Sequence, residues 1–156
     1  MSESGMVQIA DVATLRALAG GTPFVSGWIE VGEPQVLDFA DATGDHQWIH
    51  VDAERARRES PFGGPVAHGF LTLSLMPTLL AQTVKIHQRM GVNYGLNRVR
   101  FTSPVPVGSK VRARFGVKEA EDAADGSAQV TWNATIECEG SERPACVAEF
   151  ITRHYF

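Results

Sequence analysis

A carboxylate and an imidazole stand five residues apart in the segment Phe39 to Asp52: Asp45, directly after Gly44, and His50. Such a pair can move protons to and from water. A second segment, Pro65-Val66-Ala67-His68-Gly69-Phe70, opens a long apolar run. A glycine at a helix start can bring its backbone N–H close to an oxyanion, because no side chain stands in the way. An acid/base pair and an oxyanion donor point to chemistry on a carbonyl compound.

Each of these residues also has an ordinary structural reading. An Asp beside a glycine at a helix end is often a turn or cap residue. A lone histidine can be half-buried and merely satisfied. His46 and His50, with Asp45 or Asp52, suggest a metal. The segment reads as a loop, however, with no third strong ligand nearby in sequence, so no metal is expected. His68 is expected to cap its helix or to bond a loop carbonyl, and Asp52 to cap a short helix at Ala53. Gly63-Gly64 is too short to cradle a phosphate, and no Rossmann or P-loop pattern occurs.

The elements that must position these residues are legible from pattern. Asp11 reads as the N-cap of a helix carrying Val12, Leu15 and Leu18, ended by Gly20-Gly21. A strand is expected over residues 24–31. A helix is expected over residues 34–42, with Pro34 in its first turn, and residues 44–50 as its exit loop. A brief helix should cover residues 53–58. Residues 67–83 read as the main helix, apolar nearly all round and therefore buried, with Pro77 able to kink or end it. Residues 93–103 read as a strand cut off by Pro104 and Pro106. Strict alternation follows, through Val111, Ala113, Phe115 and Val117, then through Val130, Trp132, Ala134 and Ile136. Asp125-Gly126 marks the hairpin between these strands, and residues 145–155 the last strand. One buried helix and an antiparallel meander make an α+β layout, a curved sheet wrapped around that helix.

Bulk properties narrow the class. The 156 residues suit a single domain spanning 1–156, and 44% hydrophobic with 21% charged residues is ordinary for a globular protein. The net charge of −4 and a basic tract no longer than Arg57-Arg58 exclude nucleic acid as an expected partner. Met1 to Gly5 lacks the start of a signal peptide. The apolar run Gly69 to Ala81 falls short of the ~20 residues of a membrane span. A soluble, cytoplasmic protein is expected. Cys138 and Cys146 flank the turn Glu139 to Arg143 and could face each other across a hairpin, both reduced.

Several stretches together resemble one family, the MaoC-like dehydratases, which include (R)-specific enoyl-CoA hydratases and nodulation-protein-N-like relatives. They are Phe39 to Asp52 with Gly44-Asp45 and His50; Phe62-Gly63; Val66-Ala67-His68-Gly69-Phe70-Leu71; Arg98-Val99-Arg100-Phe101; and Pro104-Val105-Pro106-Val107-Gly108. The likeness spans residues 25–156. It implies the hotdog fold, usually paired as a homodimer, and reversible addition of water to a trans-2-enoyl thioester. No cofactor is implied, since CoA or acyl carrier protein serves only as the substrate's carrier. The family's catalytic Asp and His fall on Asp45 and His50, and its oxyanion glycine on Gly69. Asp45 is read as base toward the water, and His50 as orienting that water and sharing the proton transfer; which of them delivers the C2 proton stays open. Substrate contacts are expected from Gln47, Trp48, His68, Asn93, Tyr94, Gly95, Arg98 and Arg100. The two arginines would hold carrier phosphates, although two solvated strand arginines fit the pattern as well. Where the family's commonest motif has Asn-Pro, this chain has Gln47-Trp48, which leaves the pair intact and the acyl preference open. A thioesterase on the same fold, or a non-catalytic acyl-binding subunit, are the alternatives.

Overall fold

The computed structural model describes residues 6–156. Met1 to Gly5, on which the signal-peptide reading rests, lie outside the described residues. Three long strands build the frame: β6 (Ser109–Asp122), β7 (Ala128–Cys138) and β8 (Cys146–Tyr155). The sheet is antiparallel and six-stranded, in the order β2-β6-β7-β8-β5, with β3 also paired to β6. Here β2 is Phe24–Val25, β3 is Ile29–Val31 and β5 is Met90–Arg100. Every second residue is buried from Val111 to Val117 in β6 and along β7, among them Val111, Ala113 and Phe115 against Val130, Trp132 and Ile136. Period-two burial is what a sheet with one face in the core requires.

The core's other layer is the helical run that starts at Gly69. Leu71, Leu75, Met76, Leu79 and Leu80 are buried within one cluster with the strand residues. The run is two helices, α5 (Gly69–Ser74) and α6 (Met76–Ala81), where the apolar pattern predicts one. Pro77 is the cause. It lacks an N–H, and its ring would clash with the carbonyl of Leu73 in a straight α-helix. Leu75 instead bonds Thr72 O in a tighter turn (3.2 Å).

Before the core come α1 (Val12–Ala17), α2 (Glu33–Thr43), α3 (Trp48–Val51) and α4 (Ala53–Glu59). Asp11 caps α1, accepting from Thr14 N at 2.8 Å, and Asp52 caps α4 through Arg55 N at 2.9 Å, both as expected from the sequence. Four expectations change. The strand over residues 24–31 is broken into β2 and β3, where the Ser26 hydroxyl accepts from Ala113 N. The exit loop ends early, at Gln47, because α3 begins there. The strand expected over 93–103 runs over Met90–Arg100 and ends past a bulge at which Arg98 takes φ +52°. Cys146 faces Ile136 and Cys138 faces Val111, so the two thiols are separately buried rather than opposed. A parallel pair, β1 (Val7–Ile9) with β4 (Val84–Ile86), was too short to leave a periodic signal. Among the described residues no helix is long and apolar enough to cross a membrane.

Candidate active site

The end of α2 sets Asp45. Gly44 closes the helix at φ +81°, a left-handed turn that a glycine enters without strain, and its N–H returns to Ala40 O at 2.8 Å. Asp45 follows, exposed, with its carboxylate accepting from the Gln47 backbone N–H at 3.3 Å. The short turn of α3 then presents His50, partly buried, toward the segment that leads into α5.

That segment is tied on both sides. Val66 donates to Ile49 O (3.0 Å), and Ala67 donates to Val105 O (2.8 Å). The Val66 carbonyl accepts from His50 Nδ1 at 2.6 Å. A carbonyl can only accept, so Nδ1 carries the proton and the neutral ring keeps its lone pair on Nε2. Burial lowers the His50 pKa below the ordinary histidine value and the neighbouring His68 adds to this, against opposing pulls from the Val66 bond and Asp45. The neutral, base-competent ring is therefore favoured.

His68 joins the two. Its Nε2–H donates to the backbone carbonyl of Asp45 at 2.9 Å, the second of the two roles expected from the sequence, and it does not cap the helix. Its ring stacks on that of His50, with centroids 3.9 Å apart and planes 25° apart, and packs against Phe39 at 4.9 Å. Asp45, His50 and His68 bring one oxygen or nitrogen each within 4.8 Å of one another. Three such donors could suggest a cation. Nearly parallel stacked rings, however, do not let one ion lie in both ring planes at bonding distance, as imidazole ligation requires. His46 stands apart, bonded to Asp41 at 2.8 Å on the surface, and that carboxylate raises its pKa.

Gly69 follows His68 at the first position of α5, and no described group accepts from its N–H. The glycine has a packing reason: a Cβ there would lie 2.9 Å from the ring of Phe101. A cavity of about 370 Å³ opens beside it, lined by Ile49, Phe62, Gly69, Thr72 and Phe101 among others. A larger one, about 480 Å³, lies farther along the helical run against Pro77, Leu80, Asn93 and His154.

The remaining predicted contacts are scattered. Asn93 lines the larger cavity. Tyr94 carries the Arg153 guanidinium over its ring at 3.8 Å, and Gly95 follows it at a bulge of β5. Trp48 lies under Arg55 at 4.3 Å and lines neither cavity. The Gln47 side chain is exposed, and only its backbone reaches Asp45. Arg98 and Arg100 are exposed, Arg100 bonding Val99 O. Sequence reasoning missed the carbonyl of Val66, the Phe101 ring over Gly69 and the cavity walls Ile49, Phe62 and Thr72. Val66 and Phe101 stood inside recognised motifs, but their contacts depend on chain segments far apart.

Comparison with known proteins gives this geometry a setting. A family model described as the MaoC like domain matches residues 16–138. The chain is 51% identical over 144 residues to 3-hydroxyacyl-thioester dehydratase Z of Mycobacterium tuberculosis (strain H37Rv), covering 92% of this chain and 95% of that protein. It is 51% identical over 129 residues to nodulation protein N of Rhizobium leguminosarum bv. viciae, covering 81% and 80%. Among solved structures, an (R)-hydratase of A. caviae involved in PHA biosynthesis superposes with a TM-score of 0.71 at 24% identity, over 85% of this chain and 96% of that one. A MaoC-like dehydratase of Rhodospirillum rubrum gives 0.73 at 22% identity, over 89% and 94%. These two likenesses establish the hotdog fold.

Proposed function

The chain belongs to the MaoC-like dehydratase family, and on that premise we propose that Asp45, His50 and Gly69 carry its reaction. The protein is a hydro-lyase, an (R)-specific enoyl-thioester hydratase and (3R)-hydroxyacyl-thioester dehydratase. The observation that carries the site reading is the His50 Nδ1–H bond to Val66 O, which leaves Nε2 as an acceptor on a ring one nitrogen of which lies within 4.8 Å of the Asp45 carboxylate. Two groups up to 4.8 Å apart can share one water, bonded to each at about 2.8 Å. Asp45 draws a proton from that water, and His50 orients it and shares the transfer. The water oxygen adds to C3 while C2 takes a proton. Negative charge then collects on the thioester oxygen, where the free N–H of Gly69 meets it. Loss of one such donor costs about 3 kcal/mol of barrier. Dehydration is the same path reversed. None of these steps calls for a cofactor.

The thioester is read as one carried on CoA or on acyl carrier protein, in the cytoplasm. Asp45 is exposed in the single chain, and so are Phe62, Phe70 and Phe101 around the site. An exposed apolar rim of this kind suits cover by a second copy, so a homodimer is the working assembly. The test follows crotonyl-CoA by loss of enone absorbance, with free thiol measured in parallel. Enone loss without thiol is the expected result. Thiol release alone would identify a thioesterase, and neither signal across several chain lengths would identify a binding subunit.

A further inference from the structure

His68 is 2% exposed and lines neither cavity, yet it contacts both members of the acid/base pair. It occupies the N-cap position of α5 without capping it, since its side chain bonds no helix N–H. Its Nε2 proton is committed to the Asp45 carbonyl. The other nitrogen, Nδ1, is buried with no hydrogen-bond partner among the described residues. Bearing its lone pair, Nδ1 is an orphaned acceptor, and a proton on it would only make an orphaned donor.

An orphaned buried acceptor weakens a fold. Phenylalanine would fill the same space, keep the packing on Phe39 and the stack on His50, and orphan nothing. Fold stability therefore does not explain a histidine at this position. What a phenylalanine cannot do is hold the Asp45 loop through a donated hydrogen bond. Resting on the assignment of Asp45 and His50 above, we propose that His68 is a positioning residue of the hydratase reaction: a buried imidazole that fixes the Asp45 loop through its donated hydrogen bond and backs the His50 ring. The titratable groups facing His50 are Asp45 and His68. Two stacked imidazoles resist holding a proton each, so His68 also helps to keep His50 uncharged.

The test compares wild type with His68→Phe and His68→Gln. Phe keeps the ring and loses the donor; Gln keeps a donor and loses the stack. The expected result for His68→Phe is a melting temperature at or above wild type and a kcat for crotonyl-CoA hydration lower by about 10²-fold, the cost of a misplaced catalytic group. KM should change little, and the acid limb of kcat/KM should move to higher pH. His68→Gln should recover part of the loss by restoring the bond to Asp45 O. Nitrogen-15 relaxation of the backbone should show residues 45–47 rigid in wild type and more mobile in His68→Phe, which loses the bond to Asp45 O. A folded His68→Phe with kcat within twofold of wild type would overturn the proposal. So would a fall in kcat with an unchanged acid limb and unchanged mobility of residues 45–47, which would leave His68 a structural role only. If wild type itself fails to hydrate enoyl thioesters, the reaction reading fails. The relaxation data then still decide whether His68 fixes the Asp45 loop.

Discussion

At the scale of single residues, the pair itself was open to reading because its two members lie close in sequence. A glycine, a carboxylate and an imidazole within seven residues gave the type of chemistry. Their partners were hidden, because Val66 and His68 reach them from a segment sixteen or more residues on. The roles assigned to Asp45 and His50 carry a sharp expectation. Asp45→Asn and His50→Ala should each lower kcat for crotonyl-CoA hydration by about 10²- to 10⁴-fold, the range of a lost acid/base group. Circular dichroism should stay unchanged, because Asp45 is exposed and His50 only partly buried. Near-normal rates in both would refute the site. Since burial lowers the His50 pKa, wild-type kcat/KM should hold below pH 6.5 before it falls. His154 shows the same direction with a different consequence. It is buried, bonded to Thr152 Oγ1 (2.7 Å) and Gln88 Oε1 (2.6 Å), and burial pushes its pKa down to about 4. Above pH 6.5 folded and unfolded chains are both neutral there. Between about 6.5 and 4 only the unfolded chain takes the proton, so folding stability falls as pH drops, by up to about 3 kcal/mol from this group. Urea titrations across that window should show the decline, and His154→Gln should flatten it. An equal slope in the variant would place the effect elsewhere.

At the scale of elements, the long strands were legible and the helical run was legible apart from its break. Val111 to Val117 and Val130 to Ile136 alternate because one face must be dry, and that rule acts within each strand. Pro77 announced a disturbance, but whether it would kink or divide the helix depended on how Leu75 and Thr72 could re-pair. The meaning of Gly69 was only half legible. The resemblance pointed to its N–H, while its need to be glycine also comes from Phe101, thirty-two residues later in the chain. The two reasons separate by experiment. Gly69→Ala should destabilise the protein by about 1–3 kcal/mol through overpacking against that ring. Adding Phe101→Leu should return most of the loss, because the ring atoms nearest the new Cβ are removed. Chemical denaturation of the single and double variants checks this. A Gly69→Ala protein as stable as wild type would remove the steric account and leave only the N–H.

At the scale of the whole molecule, the sheet has an edge that the chain leaves open. Among the described residues β5 pairs only with β8, and its eleven residues expose Met90, Val92, Tyr94 and Leu96. A long apolar edge is a hazard unless something covers it. The sequence implied that an open wrapped sheet has edges for a second copy to cover, but not which strand is the edge, because strand order is a property of the folded sheet. The same flank of the molecule bears the cleft between β5 and the helical run, where Asn93 and Leu96 line cavities with Pro77. Pairing of two β5 edges would thus cover apolar surface and close the open side of that cleft in one event. The protein should sediment at twice its 16.9 kDa chain mass at micromolar concentration. Met90→Lys with Val92→Lys places two charges on the exposed edge, away from the proposed catalytic residues, and should yield a folded monomer. That monomer should lose most hydratase activity, because Asp45 and the cleft then remain open to bulk water. Analytical ultracentrifugation with a parallel crotonyl-CoA assay decides the matter. A dimer that survives both lysines would move the interface off β5, and a monomer with full activity would show that one chain makes a complete site.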